Sequence, residues 1–219
     1  RNLQSDPERP YSLVLPYGLD YSGAEVLPSS PESPFLRIRM NGVVINTNLV
    51  GSYNADNVMA AIAVGMNFGI SFEDACAAVA AYVPSNNRSQ MTATDRNTLI
   101  VDAYNANPTS MDAALTNFAN VEAAVKIALL GDMLELGDDS LVEHVNAVGK
   151  ALASGLDMIC FVGAEFGKAL ETMPADEKIK WFANSQDLSD WLVQQNISGA
   201  TILVKGSRGT RMEKTIQSL

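Results

Sequence analysis

Residues 98–111 have the sequence TLIVDAYNANPTSM, in which a short apolar run is followed by a polar cluster and a proline. The apolar run at 98–101 is typical of a buried strand in a parallel sheet. Asn107 and Pro108 then indicate a helix start, with Asn107 as the N-cap and Pro108 at the first helical position. The polar cluster therefore follows a strand and precedes a helix, which is where open α/β sheets bind their ligands.

Four polar side chains of this loop are candidates for ligand contacts: Asp102, Tyr104, Asn105 and Asn107. Asparagine also favours turns and helix caps, so each residue taken alone could serve only the backbone. A plain turn does not require an acid, a phenol and two amides together. The combination therefore favours a binding loop.

From residue 98 onward, predicted strands and helices alternate, which is the pattern of a parallel sheet with helices on both faces. The predicted strands are 98–102, 125–130, 157–162, 179–182 and 200–204. The predicted helices are 108–122, 140–154, 164–171, 185–195 and 209–217. We therefore expect an α/β fold with a mainly parallel sheet in this part of the chain.

Two more predicted strands end in polar loops, which are GDMLELG at 131–137 and KGSRG at 205–209. Because the carboxyl ends of parallel strands lie at one edge of a sheet, we expect the polar loops to meet there. Lys205, Ser207 and Arg208 supply two cations and a hydroxyl, which suit a carboxylate or a phosphate. The phosphate-binding pattern G-x-x-x-x-G-K-[ST] does not occur in the 219 residues.

The first part of the chain predicts a β-hairpin followed by helices. The segment FLRIRMNGVVINT at 35–47 is typical of two strands joined by a type I′ turn at its Asn-Gly pair. In the helical sequence that follows, Asn54 and Asn57 share a face of the first turn. Two carboxamides there can pair with the edge of a nucleotide base, although ordinary helix capping explains them equally well.

A polar, proline-containing link at 82–87 is the predicted boundary between two domains, at 1–84 and 85–219. Arg88 follows the link directly. A guanidinium in that position could reach a phosphate held by the other domain, and a solvated arginine is the alternative.

The composition argues against several classes of protein. The formal net charge is -10 and the pI is about 4.5, so general electrostatic binding to nucleic acid is not expected. No apolar stretch approaches the roughly 18–20 residues of a membrane span, and the polar start at Arg1 lacks a signal-peptide pattern. We therefore expect a cytoplasmic protein without membrane insertion, and a start at Arg inside polar sequence predicts a piece of a longer chain.

Cysteine and histidine are too sparse to predict a metal site or a histidine-based catalytic triad. Cys76 and Cys160 lie far apart in apolar segments and are expected to be free, buried thiols. The single histidine, His144, is expected to be structural or to support a site residue without touching a ligand. No metal ligands are predicted in this chain.

Five segments taken together resemble the Mur ligases, and their spelling is closest to the MurF-type branch. They are GSYNADNVMAA at 51–61, NR at 87–88, VDAYNANPTSM at 101–111, LGDMLELG at 130–137 and KGSRGTRME at 205–213. This branch uses ATP to join D-alanyl-D-alanine to UDP-N-acetylmuramoyl-tripeptide in peptidoglycan synthesis, through an acyl phosphate.

The resemblance implies the end of a three-domain enzyme. Residues 1–84 resemble the C-terminal part of the central ATPase domain, and 85–219 resemble the Rossmann-like domain that binds the acceptor. The sugar-binding domain, the P-loop and the ligands of Mg²⁺ would lie in the missing part, so the fragment alone is expected to be inactive. The implied cofactors are ATP and Mg²⁺, and a monomer is expected.

Site roles follow from the same resemblance. The residues similar to the family's nucleotide contacts are Asn54 and Asn57 for adenine, Arg88 for the ATP phosphates and Asp102 for the ribose. The residues similar to the loops that face the dipeptide are Tyr104, Asn105, Asn107, Lys205, Ser207 and Arg208. Lys205 and Arg88 are the expected catalytic cations.

One departure from the family pattern affects the acid. The commoner spelling of the loop is D-D-S-Y, whereas residues 101–104 are V-D-A-Y, which removes one carboxylate and one hydroxyl. Two alternatives to the main interpretation remain open. The chain could belong to a related ligase with another acceptor, similar to folylpolyglutamate synthetases, or it could be a non-catalytic nucleotide-binding module.

Overall fold

The computed structural model describes residues 15–28, 34–85 and 88–219. The chain forms two compact units. The N-terminal unit comprises Arg1–Pro28, Leu36–Thr47 and Tyr53–Tyr82, and the C-terminal unit comprises Ser29–Phe35, Asn48–Ser52 and Val83–Leu219. No helix in the described ranges has the length and apolar character that a membrane span requires.

The N-terminal part contains a short helix, three strands and two longer helices. These are α1 (Leu19–Ser22), β1 (Glu25–Leu27), β2 (Phe35–Met40), β3 (Val43–Val50), α2 (Ala55–Asn67) and α3 (Phe72–Ala81). The strands form one sheet in the order β1-β2-β3. The predicted hairpin is confirmed, because Asn41 and Gly42 join β2 to β3 with φ angles of 49° and 79°, as a type I′ turn requires.

The C-terminal unit is built on a six-stranded sheet. Its strands are β4 (Gln90–Ala93), β5 (Thr98–Asp102), β6 (Lys126–Gly131), β7 (Met158–Val162), β8 (Ile179–Phe182) and β9 (Thr201–Lys205). Their order is β4-β5-β9-β6-β7-β8, and β5 to β8 are mutually parallel with β9 inserted between β5 and β6. Strand β4 pairs antiparallel with β5. The predicted α/β fold with a mainly parallel sheet is confirmed.

Helices cover both faces of this sheet. They are α4 (Pro108–Ala119), α5 (Ser140–Ala153), α6 (Ala164–Glu171) and α7 (Ser185–Gln195). Ala128 and Leu130 of β6 pack with α4, α5 and α6, whereas Ile127 and Leu129 pack with α7 and the C-terminal residues. Successive side chains of a strand point to opposite faces, so a continuous apolar strand is what a two-sided core needs.

One sequence expectation was wrong in this unit, and one strand was not predicted. The helix expected at 209–217 is replaced by two 3₁₀ segments, Arg208–Thr210 and Met212–Ser218. Arg211 separates them with a left-handed φ of 54°, which a continuous helix cannot contain. The sequence did not predict the antiparallel strand β4, because a segment of four partly polar residues has no clear strand pattern.

Candidate functional site

Three loops meet at the carboxyl edge of the sheet, after β5, β6 and β9. Ser207 contacts the other two loops from the third. Its amide donates to the Asp132 carbonyl at 3.1 Å, and its hydroxyl donates to the Ala106 carbonyl at 3.2 Å and accepts from the Leu134 amide at 2.9 Å. The polar loops therefore meet as expected, and the buried Ser207 connects them through its hydrogen bonds.

Glycine allows the ends of β6 and β9 to approach each other. A Cβ placed on Gly206 would lie 2.7 Å from Met212 Cγ and 3.0 Å from the Cα of Gly131. The first distance is shorter than real Cβ contacts, and the second, to backbone, is tighter than most of them. The KGSR sequence therefore has glycine for steric reasons, besides any effect on ligand binding.

Asp102 and Lys205 form a buried ion pair across β5 and β9. Lys205 Nζ lies 2.6 Å from Asp102 Oδ2, and the side chains are 1% and 14% exposed. Lys205 also donates to the Asn105 carbonyl at 3.4 Å, while Asp102 Oδ1 accepts from the Ser89 amide at 3.2 Å. Both groups were expected to contact ligands, and in this structure they form an ion pair with each other.

Two guanidinium groups lie near the ring of Tyr104. The Arg88 Cζ atom is 3.7 Å from the ring centroid, and the Arg208 Cζ atom is 5.6 Å from it. All three side chains are exposed. Stacking of arginine on an aromatic face leaves the N–H donors at its rim free to bind an oxyanion. The structure thus brings together three of the expected site residues.

The two asparagines of the first loop make local hydrogen bonds. Asn107 Oδ1 accepts from the Ser110 amide at 2.8 Å, and Ser110 Oγ accepts from the Asn107 amide at 3.1 Å. This is a capping box at the start of α4, which confirms the expected helix start. Asn105 is exposed, and its Oδ1 accepts from the Ala106 amide at 2.9 Å.

Asn54 and Asn57 belong to the N-terminal unit, at the start of α2. Asn57 Nδ2 donates to Asn54 Oδ1 at 3.3 Å. Asn54 is buried and Asn57 is exposed. The pair therefore shares the first turn of the helix, as expected from its spacing.

Asp132 was missed as a site residue, although it lies in the LGDMLELG segment. Its two carboxylate oxygens accept from the amides of Glu165 and Phe166 at 3.0 and 2.9 Å. The Asp132 side chain thus caps the start of α6 from the neighbouring strand and complements the positive end of that helix. The sequence carried no signal for this pairing because the partners lie far apart in the chain.

Titratable groups near the edge are tied into hydrogen bonds. Hydrogen bonds from Lys168 and, to a smaller extent, from Ser140 lower the pKa of the Glu165 carboxyl.

Cys76 and Cys160 are free and buried, as expected. Burial raises the pKa of Cys160 to about 12, which leaves its thiol uncharged near neutral pH. Among the described residues, no group of three or more His, Cys, Asp or Glu side chains could hold a metal ion.

Comparison with known families gives one match that covers more than half of the chain. The family model described as "Mur ligase, glutamate ligase domain" matches residues 87–208. This range includes Arg88, Asp102, Tyr104 and Lys205 at the carboxyl edge. The chain belongs to the Mur ligase family.

Curated relatives carry the name of one Mur ligase branch, UDP-N-acetylmuramoyl-tripeptide--D-alanyl-D-alanine ligase. The relative from Treponema pallidum is 33% identical over 210 residues, which are 94% of this chain and 45% of the relative. The relative from Bacillus subtilis is 33% identical over 178 residues, which are 78% of this chain and 38% of the relative. The chain therefore spans less than half the length of these Mur ligases.

Solved Mur ligase structures share the fold. MurF from Acinetobacter baumannii superposes with a TM-score of 0.72 at 29% identity, over 90% of this chain and 43% of the other. The MurF ligase of Thermotoga maritima, solved in complex with ADP, has a TM-score of 0.69 at 18% identity. That match covers 89% of this chain and 45% of the other, and at this identity it shows the fold alone.

Proposed function

We propose that this chain is the acceptor-binding end of an ATP-dependent ligase that joins D-alanyl-D-alanine to UDP-N-acetylmuramoyl-tripeptide. The observation that carries the proposal is the convergence of Arg88, Tyr104 and Arg208 at the carboxyl edge of a Mur ligase sheet. The names of the relatives supply the substrates. The product would enter peptidoglycan synthesis in the cytoplasm, and a monomer is the proposed state.

The two parts of the chain have separate proposed origins. Residues 1–84 would be the end of the central ATPase domain, and residues 85–219 would be the acceptor-binding domain. Two observations support this division: the compact units change at Tyr82 and Val83, and the family match begins at residue 87.

The proposed reaction has two steps. The tripeptide carboxylate attacks the γ-phosphate of ATP, which gives an acyl phosphate and ADP. The dipeptide amine then attacks the acyl carbon, and phosphate leaves as the amide forms and the amine loses a proton. Negative charge gathers on phosphate oxygens and on the tetrahedral intermediate, so fixed cations stabilise both steps.

The residues of this chain would serve those steps in three groups. For the nucleotide we propose Asn54, Asn57, Arg88 and Asp102. For the dipeptide we propose Tyr104, Asn105, Asn107, Ser207 and Arg208. Arg88 would be the cation that touches the transferred phosphate, and Lys205 would act through its ion pair with Asp102.

Magnesium does not fit the residues described here. The Asp102 carboxylate is already engaged by Lys205 and by the Ser89 amide, and the described part of the chain has no other carboxylate cluster suited to the ion. We propose that the Mg²⁺ ligands lie elsewhere in the ligase, together with the phosphate-binding loop that these 219 residues lack.

The test is phosphate release by the full-length ligase with ATP, magnesium and UDP-N-acetylmuramoyl-tripeptide. D-alanyl-D-alanine is compared with single amino acids, including glutamate, as the acceptor. We expect release that depends on the dipeptide, and none from the 219-residue chain alone. Release with another acceptor only would assign the protein to a related branch, and no release from the folded full-length ligase would favour a binding module.

A further inference from the structure

Ser89 has an unusual backbone conformation next to Arg88. Its φ angle is 48°, in the left-handed region, and the residue is only 4% exposed. This conformation is energetically unfavourable for a residue with a Cβ. Such a residue persists when surrounding contacts determine it, and these positions cluster at functional sites.

Hydrogen bonds on both sides of Ser89 hold it in place. Its amide donates to Asp102 Oδ1 at 3.2 Å, and its carbonyl accepts from the Val50 amide at 3.1 Å. The first of these partners is a side chain. The conformation of the Ser89 backbone therefore depends on where the Asp102 carboxylate is held.

Lys205 determines the position of that carboxylate. Its ammonium contacts Asp102 Oδ2 at 2.6 Å and the Asn105 carbonyl at 3.4 Å, and the side chain is 1% exposed. A nearly inaccessible ammonium does not reach a ligand while the pair is intact. Removal of one partner leaves an uncompensated charge with little access to solvent, which is strongly unfavourable.

Arg88 is attached to the same loop at a second point. Its backbone continues into Ser89, which Asp102 holds, and its guanidinium stacks on Tyr104, two residues after Asp102. The hydrogen bond at Ser89 fixes the backbone from which the Arg88 side chain starts, and Tyr104 fixes the guanidinium at its end. The direction of the guanidinium is thus determined by the β5 loop.

We propose that Asp102 and Lys205 are a buried positioning pair that fixes the left-handed turn at Ser89 and so aims Arg88 at an anionic ligand. Lys205 then acts through Asp102 and does not touch substrate itself. The identity of the anion as an ATP phosphate rests on the proposed function. The positioning itself does not.

Amide hydrogen exchange in the 219-residue chain tests the positioning. Asp102→Ala and Lys205→Met are each expected to speed exchange of the Ser89 amide about tenfold, because a hydrogen bond of about 1.4 kcal/mol is lost. The double variant should match Asp102→Ala, since Lys205 acts through the carboxylate. The Leu129 amide in β6 reports global unfolding and corrects each rate for it.

A surface ion pair of the same unit provides the control. Lys150 Nζ contacts Asp112 Oδ1 at 2.9 Å on the exposed surface of the same unit. Lys150→Met and Asp112→Ala should leave Ser89 exchange unchanged. The proposal is overturned if Lys205→Met leaves the corrected Ser89 rate unchanged, or if the effects of Asp102→Ala and Lys205→Met multiply in the double variant.

Kinetics of the full-length ligase test the consequence for the ATP site, to which the proposed function assigns both Arg88 and Asp102. Lys205→Met should raise the KM for ATP about tenfold with a smaller change in kcat. Lys205→Arg keeps the positive charge and should raise the KM for ATP much less than Lys205→Met does. A change confined to the KM for D-alanyl-D-alanine would overturn the proposal, because Lys205 would then serve the acceptor directly. If the unsubstituted ligase acts on no acceptor, the proposed function fails, while Ser89 exchange still decides the positioning.

Discussion

Tyr104 is the residue on which both exposed arginines of the edge converge. Its ring has a negative face, and Arg88 lies closer to that face than Arg208 does. The phenol hydroxyl is not needed for this contact. The role of Tyr104 can therefore be separated into a ring contribution and a hydroxyl contribution.

We expect Tyr104→Phe to keep the placement of Arg88 and Tyr104→Leu to lose it. A cation–π contact at an exposed site contributes about 0.5–1 kcal/mol, so the KM for ATP of the full-length ligase should rise about threefold in Tyr104→Leu only. Steady-state kinetics with ATP varied gives the result. An equal rise in both variants would instead assign the effect to the hydroxyl.

His144 is fully buried, and its two ring nitrogens have different partners. Nε2 lies 3.0 Å from the Met133 amide, which can only donate, and Nδ1 lies 2.7 Å from the Ser140 carbonyl, which can only accept. These partners require a neutral ring with the proton on Nδ1. His144 thus links the β6 loop to the start of α5.

His144→Leu should destabilise the fold by about 1–3 kcal/mol, because the buried Met133 amide loses its acceptor. His144→Gln should cost less, since a carboxamide oxygen can accept in place of Nε2. Urea unfolding of the 219-residue chain measures both. Equal losses for the two variants would mean that ring packing against Phe166 dominates the effect.

At the scale of an element, the start of α6 depends on one glycine. Gly163 has φ 116° and ψ 169°, a combination almost restricted to glycine. A Cβ there would lie 2.2 Å from Asp132 Oδ2, the atom that accepts from the Glu165 amide. The Asp132 carboxylate that caps the helix therefore occupies the space that a side chain at Gly163 would need.

Gly163→Ala should be more destabilising than Gly155→Ala by about 1–3 kcal/mol, the usual cost of overpacking. Gly155 is the comparison for open space, because a Cβ there would meet nothing within 4 Å and its φ of 64° lies in the left-handed region that other residues also adopt in this chain. The free energies of unfolding in urea give the comparison. Equal costs would contradict the close contact between a Cβ at Gly163 and the Asp132 carboxylate.

Strands and helices with clear apolar and capping patterns were predictable from the sequence. The pairs of residues and strands that contact each other in the fold were not. The alternation after residue 98 followed from apolar runs and capping residues such as Asn107, which act locally. The 3₁₀ end of the chain follows from Arg211, whose left-handed φ has no signature in an arginine. The Asp102–Lys205 pair depends on the adjacency of β5 and β9, which the order of elements along the chain does not reveal.

At the scale of the whole molecule, buried apolar side chains cover both faces of the six-stranded sheet. Cys160 lies in the middle of β7 with no exposure, and its neighbours are apolar side chains of the α7 face. Burial raises the pKa of this thiol from 9.0 to about 12. The folded protein therefore keeps a proton that the unfolded chain releases above pH 9.

The stability should consequently fall as the pH rises from 9 toward 12. The neutral thiol contributes its full stabilisation below pH 9, and the loss approaches about 1.4 kcal/mol per pH unit inside this window. Urea unfolding at several pH values between 8 and 11 should give a shallower slope for Cys160→Ala than for the unsubstituted chain. Identical slopes would contradict the assignment to Cys160.

The central position of β9 also governs when the fold can be completed during synthesis. Ribosomes deliver β5 and β6 long before β9, yet each of these strands pairs with β9 and not with the other. Until residues 201–205 emerge, both strands present unpaired edges, which are prone to aggregation. The edge that carries Arg88 and Tyr104 is thus assembled late, and premature termination before β9 would remove the site together with the centre of the sheet.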